Sequence, residues 1–132
     1  MRKTRKTVIG AAAVTTAVAT LLLGAPAANA DENGCNEGIC IDAYGSGGHV
    51  AATRAYVSGF GKYLSFYGHY RVFGPDYSQD SPTGTWRRGG AGFRVEVNRN
   101  YGDGQQHCVE AWSKRDDGSH VLLGRPCVSN PI

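Results

Sequence analysis

From residue 38 onward the chain is cut by turn signals at short intervals. Gly-Ser-Gly-Gly (45–48), Ser-Gly-Phe-Gly (58–61), Gly-Pro-Asp (74–76), Gly-Gly-Ala-Gly (89–92), Tyr-Gly-Asp-Gly (101–104) and Asp-Asp-Gly-Ser (116–119) leave no amphipathic stretch long enough for a helix. Between them the apolar residues recur with period two. In Lys62 to Phe73, Leu64, Phe66, Tyr70 and Val72 alternate with Tyr63, Ser65, Tyr67, His69 and Arg71, the pattern of a half-buried strand. Gly68 interrupts the apolar face and marks a bulge or a close backbone approach. Phe93 to Val97 alternates apolar with charged residues more cleanly still. Further strands are expected over Gly38–Tyr44, Val50–Val57, Gly84–Arg88, Gln106–Ser113 and His120–Leu123, the last extending toward Cys127–Ser129. The fold class that follows is all-β: a small sandwich of about seven antiparallel strands, with immunoglobulin-like connectivity the leading expectation and a small barrel the competitor.

The first thirty residues read differently. Arg2, Lys3, Arg5 and Lys6 precede an uncharged run from Val8 to Leu23, and Ala28-Asn29-Ala30 is a small-x-small cleavage site, so residues 1–30 are expected to be a secretory signal peptide. Its removal takes away four basic and no acidic residues. A chain with 14 Lys+Arg and 11 Asp+Glu then keeps ten against eleven, and its formal charge moves from +3 to −1. Net charge therefore gives no reason to expect nucleic acid or an anionic membrane as a partner. No second apolar stretch approaches the roughly 20 residues a spanning helix needs. The expected product is one extracellular domain over 31–132.

All four cysteines fall in that domain, an even number in an oxidising compartment, which points to two structural disulfides rather than a metal site. Cys35 and Cys40 enclose a short, turn-prone loop. Cys108 and Cys127 flank one hairpin, so pairing within each couple is expected. With Asp117-Gly118 as a two-residue turn, opposite residues sum to 235, which sets Cys108 against Cys127, Glu110 against Arg125 and Trp112 against Leu123. The same count puts the Cys pair at a hydrogen-bonded site, with Cα atoms about 5.5 Å apart, and calls for a bulge near Gly124 or Pro126.

No chemistry-bearing motif is present. His49, His69, His107 and His120 lie in no zinc-protease or nucleophile signature, and no metal or other cofactor is expected. Asp76 and Asp80, four apart in a Gly-Pro-rich loop, match no calcium loop. The run Tyr67-Gly-His-Tyr-Arg-Val-x-Gly-Pro75 superficially looks like the tyrosine-rich strand of small microbial guanyl ribonucleases, where a glutamate on the strand is the general base. Lys62 to Phe73 holds no carboxylate, and Glu96 and Glu110 lie on other strands, so a ribonuclease is only an alternative. Arg87-Arg88, the one dibasic pair of the domain, is the feature an inhibitor of an extracellular protease or other hydrolase would present. No Cys lies within nineteen residues to stiffen it.

The aromatic residues are more informative. Tyr63 and Tyr67 fall on one face with His69 and Arg71, a row of rings beside hydrogen-bonding groups that suits stacking on sugars or contact with a protein. Tyr77 and Trp86, with Arg87 and Arg88, extend this candidate surface along the adjoining loop Gly74 to Arg88. The order Cys35-x4-Cys40, Phe66-x-Gly-His-x-x-Val-x-Gly-Pro75, Cys108-x-Glu-x-Trp112 and Gly124-x-Pro-Cys127 resembles small secreted two-disulfide proteins of actinobacteria. That resemblance is one of scaffold and implies no activity or site residue. The reading is a secreted, monomeric, non-catalytic binding protein whose partner is a cell-wall polysaccharide or an extracellular protein.

Overall fold

The period-two segments become strands. A computed structural model describes residues 32–132; the expected signal peptide, 1–30, lies outside the described residues. The strands are β1 (Glu32–Asn36), β2 (Ile39–Ser46), β3 (His49–Val57), β4 (Ser65–Phe73), β5 (Ser78–Asp80), β6 (Gly84–Arg87), β7 (Phe93–Asn100), β8 (Gln106–Lys114), β9 (His120–Gly124) and β10 (Cys127–Ser129). Among the described residues there is no helix. All pairings are antiparallel, in two sheets. One runs β1-β2-β3-β7. The other has β8 and β4 at its centre, with β9 and β10 sharing one edge of β8, and β5 and β6 sharing one edge of β4. The sheets form a sandwich: Ile39, Ile41, Val50 and Val57 of the first meet Phe66, Tyr70, Val72 and Val109 of the second.

Among the described residues ten strands stand where about seven are expected. Two of the additions arise because an edge is shared by two short strands instead of one long one. The third is β1, which precedes the first strand expected, at Gly38–Tyr44. Glu37 and Gly38, with φ of 56° and 91°, form a two-residue turn between β1 and β2, and the register it sets places Cys35 opposite Cys40. A disulfide between facing strand residues, Cα atoms 4.1 Å apart, holds β1 in the ladder. Connectivity also departs from the immunoglobulin order. Two tight hairpins, at Glu37-Gly38 and Gly47-Gly48, keep β1, β2 and β3 consecutive in one sheet, with β7 added beside β3.

The β8–β9 hairpin corrects a register. Its loop is Asp116-Asp117-Gly118, three residues, with Gly118 N–H donating to the Arg115 carbonyl at 2.9 Å and Gly118 at φ 88°. This is a type I turn closed by a left-handed glycine. Partners near the turn therefore sum to 234, and Trp112 faces Leu122 rather than Leu123. A bulge between Ala111 and Trp112 absorbs one residue and restores 235, so that Ala111 meets Gly124 and Cys108 meets Cys127. The bulge thus sits where the disulfide needs it. The Cys108–Cys127 Cα distance is 4.1 Å, that of a close, non-hydrogen-bonded pair and not the 5.5 Å expected.

A buried polar chain crosses one end of the sandwich. His107 is fully buried, and its Nδ1 shares a 2.8 Å hydrogen bond with the Tyr77 hydroxyl. Burial pushes the imidazole below its ordinary value, against the opposing pull of Asn130 and Asp76. Above it the Tyr101 hydroxyl donates to Asp76 Oδ1 at 2.7 Å and Arg99 closes an ion pair on the same carboxylate at 3.0 Å.

Candidate binding face

Residues opposite each other in a ladder share a face, so the register defines the outer surface of the β4/β8 sheet. Tyr67 lies opposite Thr85 of β6. His69 lies opposite Trp112 of β8, which in turn lies opposite Leu122 of β9. Arg71 stands between Asp80 of β5 and Glu110 of β8. Tyr67 is 53% exposed and Leu122 41%, while Trp112 and His69 are half-buried. The result is a platform of rings and one aliphatic side chain open to solvent.

Charged groups frame the platform. Arg71 donates to both oxygens of Asp80, at 2.9 and 3.4 Å, and this contact holds the Asp80 carboxyl below its usual range. Glu110 accepts from Trp112 Nε1 at 3.3 Å and pairs with Arg125 at 3.7 Å, whose guanidinium also covers the Phe73 ring at 5.2 Å. His69 sits edge-to-face with His120, ring centroids 5.3 Å apart. Burial lowers the His69 pKa, Asp80 opposes that, and His120 and Arg71 add to it. Donors and acceptors thus alternate around an apolar centre.

The structure brings together three of the expected site residues, Tyr67, His69 and Arg71, and separates the rest. β4 begins at Ser65, so Tyr63 leaves the row and sits half-buried in the preceding loop beside Lys62. Leu64, expected in the core, is 63% exposed, because it lies before the stretch of β4 that β8 covers. Trp86 faces inward. It packs on Tyr70 and Phe93, at centroid distances of 4.9 and 6.4 Å, and gives its Nε1 proton to the Gly68 carbonyl at 3.0 Å. Tyr77 turns into the His107 cluster. Arg87 is exposed at the end of β6 opposite Ser65, while Arg88 is held by its Nε to the Ser58 carbonyl at 3.2 Å. Trp112, Leu122 and His120 belong to the face and were not expected there. A register counted from the three-residue loop is the signal that finds them.

Two other surfaces are less available. On the outside of the first sheet, Asp42 already accepts from the Tyr44 and Tyr56 hydroxyls at 3.0 and 3.2 Å and from Arg54 at 2.9 Å, and Arg94 covers the Tyr44 ring. At the β6 edge a cleft of about 330 Å³ is lined by Val57, Tyr70, Trp86 and the 90–92 loop. Tyr70 is buried and its hydroxyl has no partner. No family model, curated protein or solved structure matches the chain.

Proposed function

We propose that the protein is exported and acts outside the cell as a monomeric, non-catalytic binding protein, taking a cell-wall polysaccharide on the outer face of the β4/β8 sheet. The observation that carries this reading is the outward-facing row of exposed Tyr67, half-buried Trp112 and exposed Leu122, with Arg71, Asp80 and Glu110 beside it. A pyranose ring offers an apolar face for stacking and a rim of hydroxyls that donate and accept, and the platform offers the complement of both. Two disulfides fit an oxidising compartment, and among the described residues no helix is long and apolar enough to cross a membrane.

Depletion of the oxidised protein from solution by chitin, cellulose and peptidoglycan tests the reading, with Tyr67→Ala and Trp112→Ala as the comparison. Saturable binding to one polymer, at least about tenfold weaker in each folded variant, is the expected result. Absence of binding to all three, or variants that bind as the parent does, overturns it in favour of a protein partner.

A further inference from the structure

The two large apolar side chains most exposed among the described residues, Phe60 at 89% and Leu64 at 63%, lie on one loop, residues 58–64, between β3 and β4. Its backbone is pinned. The Ser58 N–H donates to the Gly38 carbonyl at 2.8 Å, the Phe60 N–H donates to Ser58 Oγ at 2.8 Å, and Gly61 packs so closely on Gly38 that a Cβ at Gly61 would fall 2.6 Å from the Gly38 Cα. Arg88 draws the two ends together: its N–H donates to the Leu64 carbonyl at 2.9 Å and its Nε to the Ser58 carbonyl at 3.2 Å. The segment is a closed loop resting on the Glu37-Gly38 turn, and it holds the Phe60 ring out in water.

An apolar side chain in solvent is ordinary when it stands alone. Phe60 shares its loop with Leu64, and three cations adjoin them: Lys62, over the Tyr63 ring at 5.6 Å, Arg88, tied to both loop ends, and Arg87, opposite Ser65 where the loop enters β4. Among the described residues none of the three forms an ion pair, whereas Arg54, Arg71, Arg94, Arg99 and Arg125 all do. Glu37, on the supporting turn, acts against an anionic partner, but three cations outweigh one acid. The net charge of the domain conceals this local excess. We propose that the 58–64 loop docks on an anionic phospholipid bilayer, Phe60 and Leu64 entering the interface while Lys62, Arg87 and Arg88 meet the headgroups.

Charge and shape both favour a lipid surface over a protein. Burial of apolar side chains at the interface and attraction of Lys and Arg to anionic headgroups add together, and the loop supplies the two at one place. A ring held out on a pinned tip asks a protein partner for a matching pocket, whereas the headgroup and acyl boundary admits a protruding side chain of any outline. Pinning also helps the energetics, because a loop already ordered in the free protein loses little conformational freedom on docking. Attachment of this kind lies on the membrane rather than across it, and it is reversible. It uses none of the side chains of the polysaccharide platform and does not depend on that platform.

Sedimentation of the oxidised protein with vesicles of phosphatidylcholine, alone or mixed with an equal part of phosphatidylglycerol, tests the proposal, beside Phe60→Ala and a Lys62→Gln/Arg87→Gln double variant. All three positions are exposed, so the variants are expected to fold, and near-UV circular dichroism establishes that they do. The expected result is binding to the mixed vesicles only, weakened at least about tenfold in each variant and by added salt. A second measurement reads the depth of the tip: in Phe60→Trp, lipids with brominated acyl chains quench the new indole beyond any quenching of Trp86 and Trp112 in the wild type. Absence of binding to the mixed vesicles overturns the proposal in favour of an acidic protein partner. Equal binding to the neutral vesicles, variants that bind as the parent does, or an indole at position 60 left unquenched overturns it as well.

Discussion

Gly68→Ala gives the sharpest test of how the two central strands are joined. A Cβ at Gly68 falls 1.8 Å from the carbonyl oxygen of Trp112, 2.9 Å from its carbonyl carbon and 3.0 Å from Ser113 Cα. All three are backbone atoms of β8, so no rotamer change gives relief. Reaching an ordinary contact of about 3.4 Å or more moves β4 and β8 apart by more than about 1 Å, and ladder bonds of about 2.9 Å are then lost. Gly68 sits where β4 pairs with Ser113 on one side and Gly84 on the other. Loss of two or three such bonds at about 1 kcal/mol each, with disturbed packing of Phe66 and Tyr70, amounts to about 3–5 kcal/mol. For a domain of this size that lowers the melting temperature by roughly 15 °C or more. The control is its ladder partner: a Cβ at Gly84 meets nothing within 4 Å, so Gly84→Ala is expected to stay within about 0.5 kcal/mol of the parent. Urea denaturation of the three proteins decides the matter. A Gly68→Ala protein within about 1 kcal/mol of wild type refutes the close approach and the β4–β8 register with it.

Removing the Cys108–Cys127 bridge as a double alanine variant is expected to cost about 3 kcal/mol, and removing Cys35–Cys40 about 2 kcal/mol, because the first closes the longer loop of the unfolded chain. Equilibrium denaturation checks the order, and a larger loss from the shorter loop contradicts it. Stability is also expected to fall with acid in two stages. His107 and His69 are both held below the ordinary 6.5, so the unfolded chain takes up protons first and stability declines as pH drops below that value, levelling once the native imidazoles titrate. Asp76 and Asp80 are held below 3.8, Asp76 chiefly by its Tyr101 hydrogen bond and Asp80 by Arg71, and their contribution, complete above the unfolded value, is lost on further acidification. Urea midpoints at pH 7.5, 6.5, 5.5, 4.5 and 3.0 read this profile. Equal midpoints at 7.5 and 5.5 contradict the buried, neutral state of His107.

What the sequence carried about the fold was local. Alternation over Phe66 to Val72 and Phe93 to Val97 is enforced by the pleat itself, so these segments declare which side chains enter the core wherever the strand ends up. Gly68 was legible for the same reason: a missing side chain on an inward row points to a backbone lying against it. Connectivity was not. Whether β3 is followed across the sandwich by β4, or β7 returns beside β3, depends on which edges are free once the hairpins have closed, and no single segment encodes that.

The binding face shows how far a one-residue error carries. Asp117-Gly118 reads as a two-residue turn, but Asp116-Asp117-Gly118 closes the loop, and every partner near the turn shifts by one. Because faces alternate, the two-residue count puts Leu123 on the outer face beside Trp112, whereas the three-residue loop puts Leu122 there. The bulge at Ala111/Trp112 then hides the mistake, since the Cys pair comes out right under either count. A correct disulfide is therefore weak support for the register on the far side of it. The same shift conceals His120, whose place beside His69 follows only from its pairing with Lys114 and from the position of β8 between β4 and β9. Histidines that no spacing rule connects become neighbours through the order of strands, which brings His69 of β4 and His120 of β9 together across β8.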